Sequence, residues 1–107
     1  NSYTGLLMQI TALEQSRAAE KLALMMYYLM FRYGTLTKNG VYEVHLHLTH
    51  TVLGNLMGLT RETVTMELGR LKRKKIITYD SKGLTIYRYE LERLLGDESF
   101  SSVHLNR

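Results

Sequence analysis

The chain has 107 residues, enough for one compact domain and too few for two. It contains no proline and no cysteine. That excludes disulfides, thiol catalysis and cysteine-ligated zinc or iron–sulfur centres, and it fits a reducing cytosol. The net charge is +4, and its distribution matters more than its size. Between Leu48 and Arg88 eight basic residues face three acids, an electrostatic footprint suited to phosphate. The most apolar run, residues 22–31, is bounded by Lys21 and Arg32 and is about half the ~20 residues needed to span a bilayer. No segment is expected to target a membrane.

The chain starts at Asn1 without a methionine, and its first helix begins abruptly, so a fragment of a longer protein is expected. Leu6, Leu7, Ile10 and Leu13 predict a helix over residues 3–15. Leu6, Ile10 and Leu13 also have coiled-coil spacing, which stops at Arg17 and Glu20. Such a helix either packs on its own domain or is the stub of a longer dimerisation helix; the stub is favoured. The polar patch at residues 14–17 is expected to break it. A second helix follows over residues 18–33, with a stripe of Leu22, Met25 or Met26, Leu29 and Tyr33. Its wealth of Met and Tyr reads as adaptable core packing, with a ligand pocket as the minor alternative.

Residues 35–40 predict a loop turning at Asn39-Gly40. Residues 41–48 alternate as a strand, with Tyr42, Val44, Leu46 and Leu48 on one face and Glu43, His45 and His47 on the other. His45, His47 and His50 allow a metal site; a solvated strand face is the preferred reading, because no acidic or cysteine partner is close. His104 falls in a polar tail over residues 97–107.

Residues 49–57 and 61–75 predict two helices joined by Gly58-Leu59-Thr60, a turn too short for an antiparallel pair. Thr49 and Thr60 are the N-caps. Leu53, Leu56 and Met57 are the buried stripe of the first helix, and Val64, Leu68 and Leu71 that of the second. Gly54 and Gly58 suit close helix approach and a positive φ. The opposite face carries Arg61, Glu62, Thr65, Met66, Arg70 and Arg73. Glu67 adjoins the buried stripe and is expected at its edge, near Arg70 or Lys74. Base-reading side chains opening the second of two crossed helices make a helix-turn-helix for DNA. Residues 76–79 and 84–87 predict a β-hairpin, a wing with Lys82 at its tip facing phosphate. Residues 89–95 predict a closing helix ended by Gly96. The expected fold is α+β, mainly α: a winged helix-turn-helix with a β-hairpin wing over residues 18–96, preceded by a dimerisation-helix stub and hinge over residues 1–17.

The run LTHTVLGNLMGLTRETVTMELGRLKRKKII, with the wing DSKGLTI, resembles the C-terminal DNA-binding domain of the Crp/Fnr family of bacterial transcription regulators. The match is close over residues 48–87, centred on GLTRETV, and looser over AEKLALMMYYL. The resemblance implies that residues 3–15 end the family's dimerisation helix and residues 14–17 form its hinge. The family's β-roll effector domain lies outside this chain, and no cofactor is expected within it. The family's half-site readers fall on Arg61 and Glu62; Arg can fork onto guanine O6 and N7, and Glu can accept from cytosine N4. Thr60 and Thr63 would hold phosphates. Met66 stands where a basic residue is common and would touch a thymine methyl instead. Thr51 and Val52 replace an acidic residue of the first helix. The expected DNA-binding set is Thr60, Arg61, Glu62, Thr63, Thr65, Met66, Arg70, Arg73 and Lys82, with Lys72 to Lys75 on the backbone or solvated. The expected partner is a palindromic double-stranded DNA operator bound by a homodimer, with RNA polymerase as a further partner. The rival reading is a winged-helix protein-interaction module whose basic strip is only solvated. An enzyme is not expected, since no carboxylate pair, Ser/His/Asp grouping or phosphate-cradling glycine loop is present.

Overall fold

A computed structural model describes residues 2–81 and 83–96, and of residues 2–16 the backbone alone. The chain runs α1 (Ser2–Tyr33), β1 (Gly34–Lys38), β2 (Val41–Val44), α2 (His50–Met57), α3 (Arg61–Arg73), β3 (Ile77–Asp80), β4 (Gly83–Tyr87) and α4 (Arg88–Leu95). The strands form one antiparallel sheet in the order β1-β2-β4-β3. Among the described residues no helix is long and apolar enough to cross a membrane.

α1 is one helix of 32 residues, where a break at residues 14–17 was expected. The polar patch there contains no Gly or Pro, and Glu, Gln and Arg are good helix formers, so nothing interrupts the hydrogen-bond ladder. The Leu6, Ile10 and Leu13 seam lies outside the described side chains. Farther along, Leu22, Met26, Leu29 and Met30 are buried. Leu22, Met26 and Met30 are fully enclosed, each contributing roughly 1.5–3 kcal/mol. Tyr33, expected in the stripe, is exposed.

The predicted loop over residues 35–40 is instead β1 and its turn. β1 has no apolar alternation, so its sequence carries no strand signal; it is held by backbone pairing to β2, with a bulge between Leu36 and Lys38. β2 ends at Val44, short of the predicted residue 48. Val44 pairs with Leu84, and β4 begins one residue before that, so the partner strand runs out at the wing tip. Leu46 is accordingly exposed rather than turned inward. The tail from Asp97 lies outside the described residues.

The core joins α1 to Val44 of β2, Leu53 and Met57 of α2, Val64, Leu68 and Leu71 of α3, and Ile76, Ile77, Ile86 and Leu91 behind them. Leu56, expected in this core, is 62% exposed. α2 is only eight residues long and turns a narrow Leu53–Met57 edge inward, which leaves Leu56 on its outer side. Lys21 of α1 donates from Nζ to the Met57 carbonyl at 3.2 Å, tying the end of α2 to the central helix.

α4 is fastened to α1 by a polar clamp. Tyr27 donates its hydroxyl to Glu92 Oε2 at 2.7 Å, and Arg88 Nε donates to the same oxygen at 3.1 Å. The Arg88 guanidinium lies 4.9 Å over the Phe31 ring. The hydrogen bonds from Tyr27 and then Arg88 hold the Glu92 carboxyl below its ordinary 4.5. The same bond to Glu92, then burial, pushes the Tyr27 phenol above 10.0. A depressed carboxylate stabilises the fold above its unfolded value and loses that contribution as pH falls through the folded one. A raised phenol stabilises below its unfolded value and loses that contribution as pH rises through the folded one. The clamp is thus intact across the range between these groups. In Tyr27→Phe the Glu92 carboxyl should titrate nearer 4.5 and the unfolding midpoint at neutral pH should fall. Carboxyl-detected NMR titration checks the first; an unmoved Glu92 would contradict the clamp.

Candidate nucleic-acid interface

Two threonines set the frame. Thr49 caps α2, its hydroxyl accepting from the Val52 N–H at 3.1 Å. Thr60 caps α3 in the same way, accepting from the Thr63 N–H at 3.1 Å. Between them Gly58 has φ 69°, and its N–H bonds back to the Gly54 carbonyl. The Leu59 N–H reaches that carbonyl too, at 2.8 Å. A Cβ on Gly54 would stand 2.5 Å from the Leu59 carbonyl oxygen, so only glycine permits this approach.

α3 buries Val64, Glu67, Leu68 and Leu71 and turns Arg61, Glu62, Thr65, Met66, Arg70 and Arg73 to solvent. The structure therefore brings these six predicted residues together on one helix. Met66 is 42% exposed despite its apolar side chain. Arg73 folds back along the helix, its NH1 3.3 Å from where a Cβ on Gly69 would be. Thr63 is half-buried. The Thr60 hydroxyl donates to Thr63 Oγ1 at 2.9 Å, so its hydrogen is committed to the cap while that of Thr63 is not. Lys82 lies outside the described residues.

Glu67 departs from expectation. It is only 2% exposed, enclosed in the helix's apolar side rather than at its edge. Its Oε1 lies 3.5 Å from Arg70 NH1, an ion pair without a hydrogen bond, and both carboxylate oxygens are buried without a hydrogen-bond partner. Part of the Arg70 charge is thereby committed within the protein.

α3 ends at Arg73, two residues earlier than predicted. Lys75 takes a left-handed φ of 61°, with Lys75 N–H bonded to the Lys72 carbonyl and Ile76 N–H to the Leu71 carbonyl, both at 3.0 Å. This is a Schellman ending, sealed by the buried Leu71 and Ile76. Lys72, expected to be solvated or on phosphate, is exposed and places its Nζ 4.8 Å over the Tyr79 ring of the wing.

One interface residue escaped sequence reasoning. His50, the first residue of α2, has its Nδ1 2.6 Å from Thr65 Oγ1 on α3, and Thr65 Oγ1 donates to the Arg61 carbonyl at 2.9 Å. A cap followed by a histidine gave no sign of this, because it depends on how two helices are rotated against each other. With His45 and His47, His50 also rims a cleft of about 360 Å³ between the wing and α2. His45 is paired with Glu43 at 3.3 Å, and among the described residues no group of three or more His, Cys, Asp or Glu is placed to hold a metal.

A helix pair joined by a three-residue turn, capped at both starts and backed by a β-hairpin within a larger sheet, defines a winged helix-turn-helix domain. The Crp-like helix-turn-helix domain model matches residues 19–94. The chain belongs to that family, whose members are bacterial transcription regulators of the Crp/Fnr type. It is 36% identical over 81 residues to the regulatory protein HlyX of Actinobacillus pleuropneumoniae, covering 76% of this chain and 33% of that protein. It is 34% identical over 90 residues to the fumarate and nitrate reduction regulatory protein of Vibrio cholerae, covering 81% and 35%. The chain thus spans about a third of the length of the curated relatives it matches. In fold it is similar to the CO-dependent transcription factor CooA from Carboxydothermus hydrogenoformans (TM-score 0.65, 21% identity, covering 88% of this chain and 41% of that one). It is likewise similar to oxidized CprK in complex with o-chlorophenolacetic acid (TM-score 0.66, 22% identity, covering 86% and 39%).

The buried Glu67 carboxylate sets an expectation for stability. Glu67→Met, similar in length and apolar, removes two unbonded buried oxygens and should raise stability by about 1–3 kcal/mol. Urea denaturation measures it; a lower midpoint at unchanged slope would show that the Arg70 pair outweighs the desolvation of the carboxylate.

Proposed function

We propose that this chain is the part of a Crp/Fnr-type transcription regulator that binds double-stranded DNA sequence-specifically, with α3 in the major groove of a palindromic half-site. The observation that carries this is the start of α3. A Thr60-capped helix end, where the dipole favours anions, is followed at once by exposed Arg61 and Glu62. Arg61 forks onto guanine O6 and N7, and Glu62 accepts from cytosine N4. Thr63 donates its hydroxyl to a phosphate, Thr60 supplies the cap that holds the helix end open to it, and Arg73 reaches the neighbouring backbone. Arg70 contributes less than its charge suggests, because Glu67 partly neutralises it. Lys82 at the wing tip is assigned to a flanking phosphate.

Two copies on one palindrome place their recognition helices in successive major grooves, about 34–36 Å apart. The helical backbone over residues 2–16 is suited to a dimer seam at Leu6, Ile10 and Leu13. A regulator of chromosomal DNA would work in the cytoplasm, with RNA polymerase as a further partner. Selection of bound sequences from a random duplex pool tests the reading, since it returns half-site, spacing and symmetry together; recovery of unenriched sequence would overturn it. A protein-interaction module would lack the salt-dependent binding to duplex DNA, with its steep slope, that phosphate neutralisation imposes.

Arg61→Ala is expected to lower specific affinity by about 1–3 kcal/mol and to relax preference at one guanine. Competition with single-base operator variants checks this. Lys74, the exposed C-cap of α3, has a different role. Lys74→Ala should weaken all sequences alike and flatten the salt dependence by about one phosphate contact. A changed base preference would show that Lys74 does more than meet the backbone.

A further inference from the structure

Thr65 sits on the exposed face of α3, one turn beyond Arg61, where a side chain of a DNA-bound helix meets base edges. Its hydroxyl has one hydrogen and two lone pairs. The Arg61 carbonyl, 2.9 Å away, can only accept, so that contact uses the hydrogen. His50 Nδ1, 2.6 Å away, then donates to the hydroxyl oxygen. If the imidazole hydrogen is on the other nitrogen, the hydroxyl hydrogen goes to Nδ1 instead. In either tautomer the hydrogen stays within the protein. Thr65 therefore cannot donate to guanine O6 or N7, adenine N7 or thymine O4, which are the acceptors of the major groove. What it keeps for a base is its methyl and one accepting lone pair, and the next residue, Met66, is also exposed and apolar, so that the neighbouring surface suits a methyl.

We propose that Thr65 reads the 5-methyl group of a thymine, and that His50 of α2 is a positioning residue that enforces this by occupying the hydroxyl. This rests on the DNA-binding reading above and deepens it. Half of the recognition face works by hydrogen bonds donated by Arg61 and accepted by Glu62, and the adjoining half by apolar contact with methyl groups. The same threonine with its hydroxyl released would accept more than one base at that step, since hydroxyls pair with either donors or acceptors.

The test starts from the operator selected by the whole chain and replaces each thymine in turn by deoxyuridine, which removes only the methyl. At the Thr65 position the unaltered chain should bind the deoxyuridine duplex about fourfold more weakly, the worth of one buried methyl. Thr65→Ser, which keeps the hydroxyl and loses the methyl, should abolish that discrimination at this position and no other. Thr65→Val, which keeps methyls and loses the hydroxyl, should retain it. His50→Ala should broaden base preference at the same step, and His50→Asn, whose amide can reach the same hydroxyl, should restore it. Circular dichroism confirms that each variant is folded. Discrimination kept by the serine variant and lost by the valine variant would overturn the proposal and leave the DNA reading standing. Thymine and deoxyuridine bound alike at every position would do the same. If the unaltered chain selects no sequence at all, the DNA reading falls and this inference falls with it.

Discussion

The approach of Gly54 to the backbone of Leu59 is the contact on which the rest of the recognition surface depends. The Gly54 carbonyl takes two N–H groups, from Gly58 and Leu59, so α2 stops, reverses and hands over to α3 within three residues. A side chain at Gly54 would meet the Leu59 carbonyl and push the helices apart. The closeness it allows brings the first turn of α2 against the second turn of α3. That is why His50 can reach Thr65, and why the N-terminus of α3 stands clear of the protein instead of folding into it. What makes Arg61 and Glu62 a candidate site is the scaffold that presents them.

Beneath the helix pair, α1 serves as a floor. Its buried leucines and methionines share one core with both helices of the motif, and it takes α4 through the Tyr27–Glu92–Arg88 clamp. The sheet works differently. β2 pairs with β4, so the wing is not an isolated hairpin but two strands of four. Isolated hairpins are marginal in water, and this pairing removes that weakness by tying the wing to residues that come before the helix-turn-helix in the chain.

The helix-turn-helix was legible because its signals are local. Threonine caps, a glycine at positive φ and a four-three apolar spacing each act within one turn of helix, and the expected boundaries hold to within about two residues. The exposed face of α3 was legible for the same reason. What escaped depends on partners distant in sequence. β1 has no apolar pattern and exists through its neighbour. The unbroken α1 was misread because a polar patch looks like a boundary, although helix-forming residues without Gly or Pro do not interrupt a helix. Glu67 is buried against the rule that carboxylates stay at the edge, and Leu56 is exposed against the rule that leucines go in. Both follow from how far each helix is rotated on its axis. The His50–Thr65 contact belongs to the same class, and no spacing within either helix encodes it.

The Schellman ending at Lys75 has a mechanical meaning. A single left-handed residue carries the chain from the last turn of α3 to the first strand of the wing, with Leu71 and Ile76 buried on either side of it. The Lys72 side chain braces the joint against Tyr79. A connection that short has no slack. α3 and the wing are parts of one rigid gauge, and the distance between them is built into the protein. In the DNA reading proposed above, such a gauge would measure duplex geometry as well as sequence. A duplex whose groove width or local bend does not match that fixed span would be refused even when every base is right.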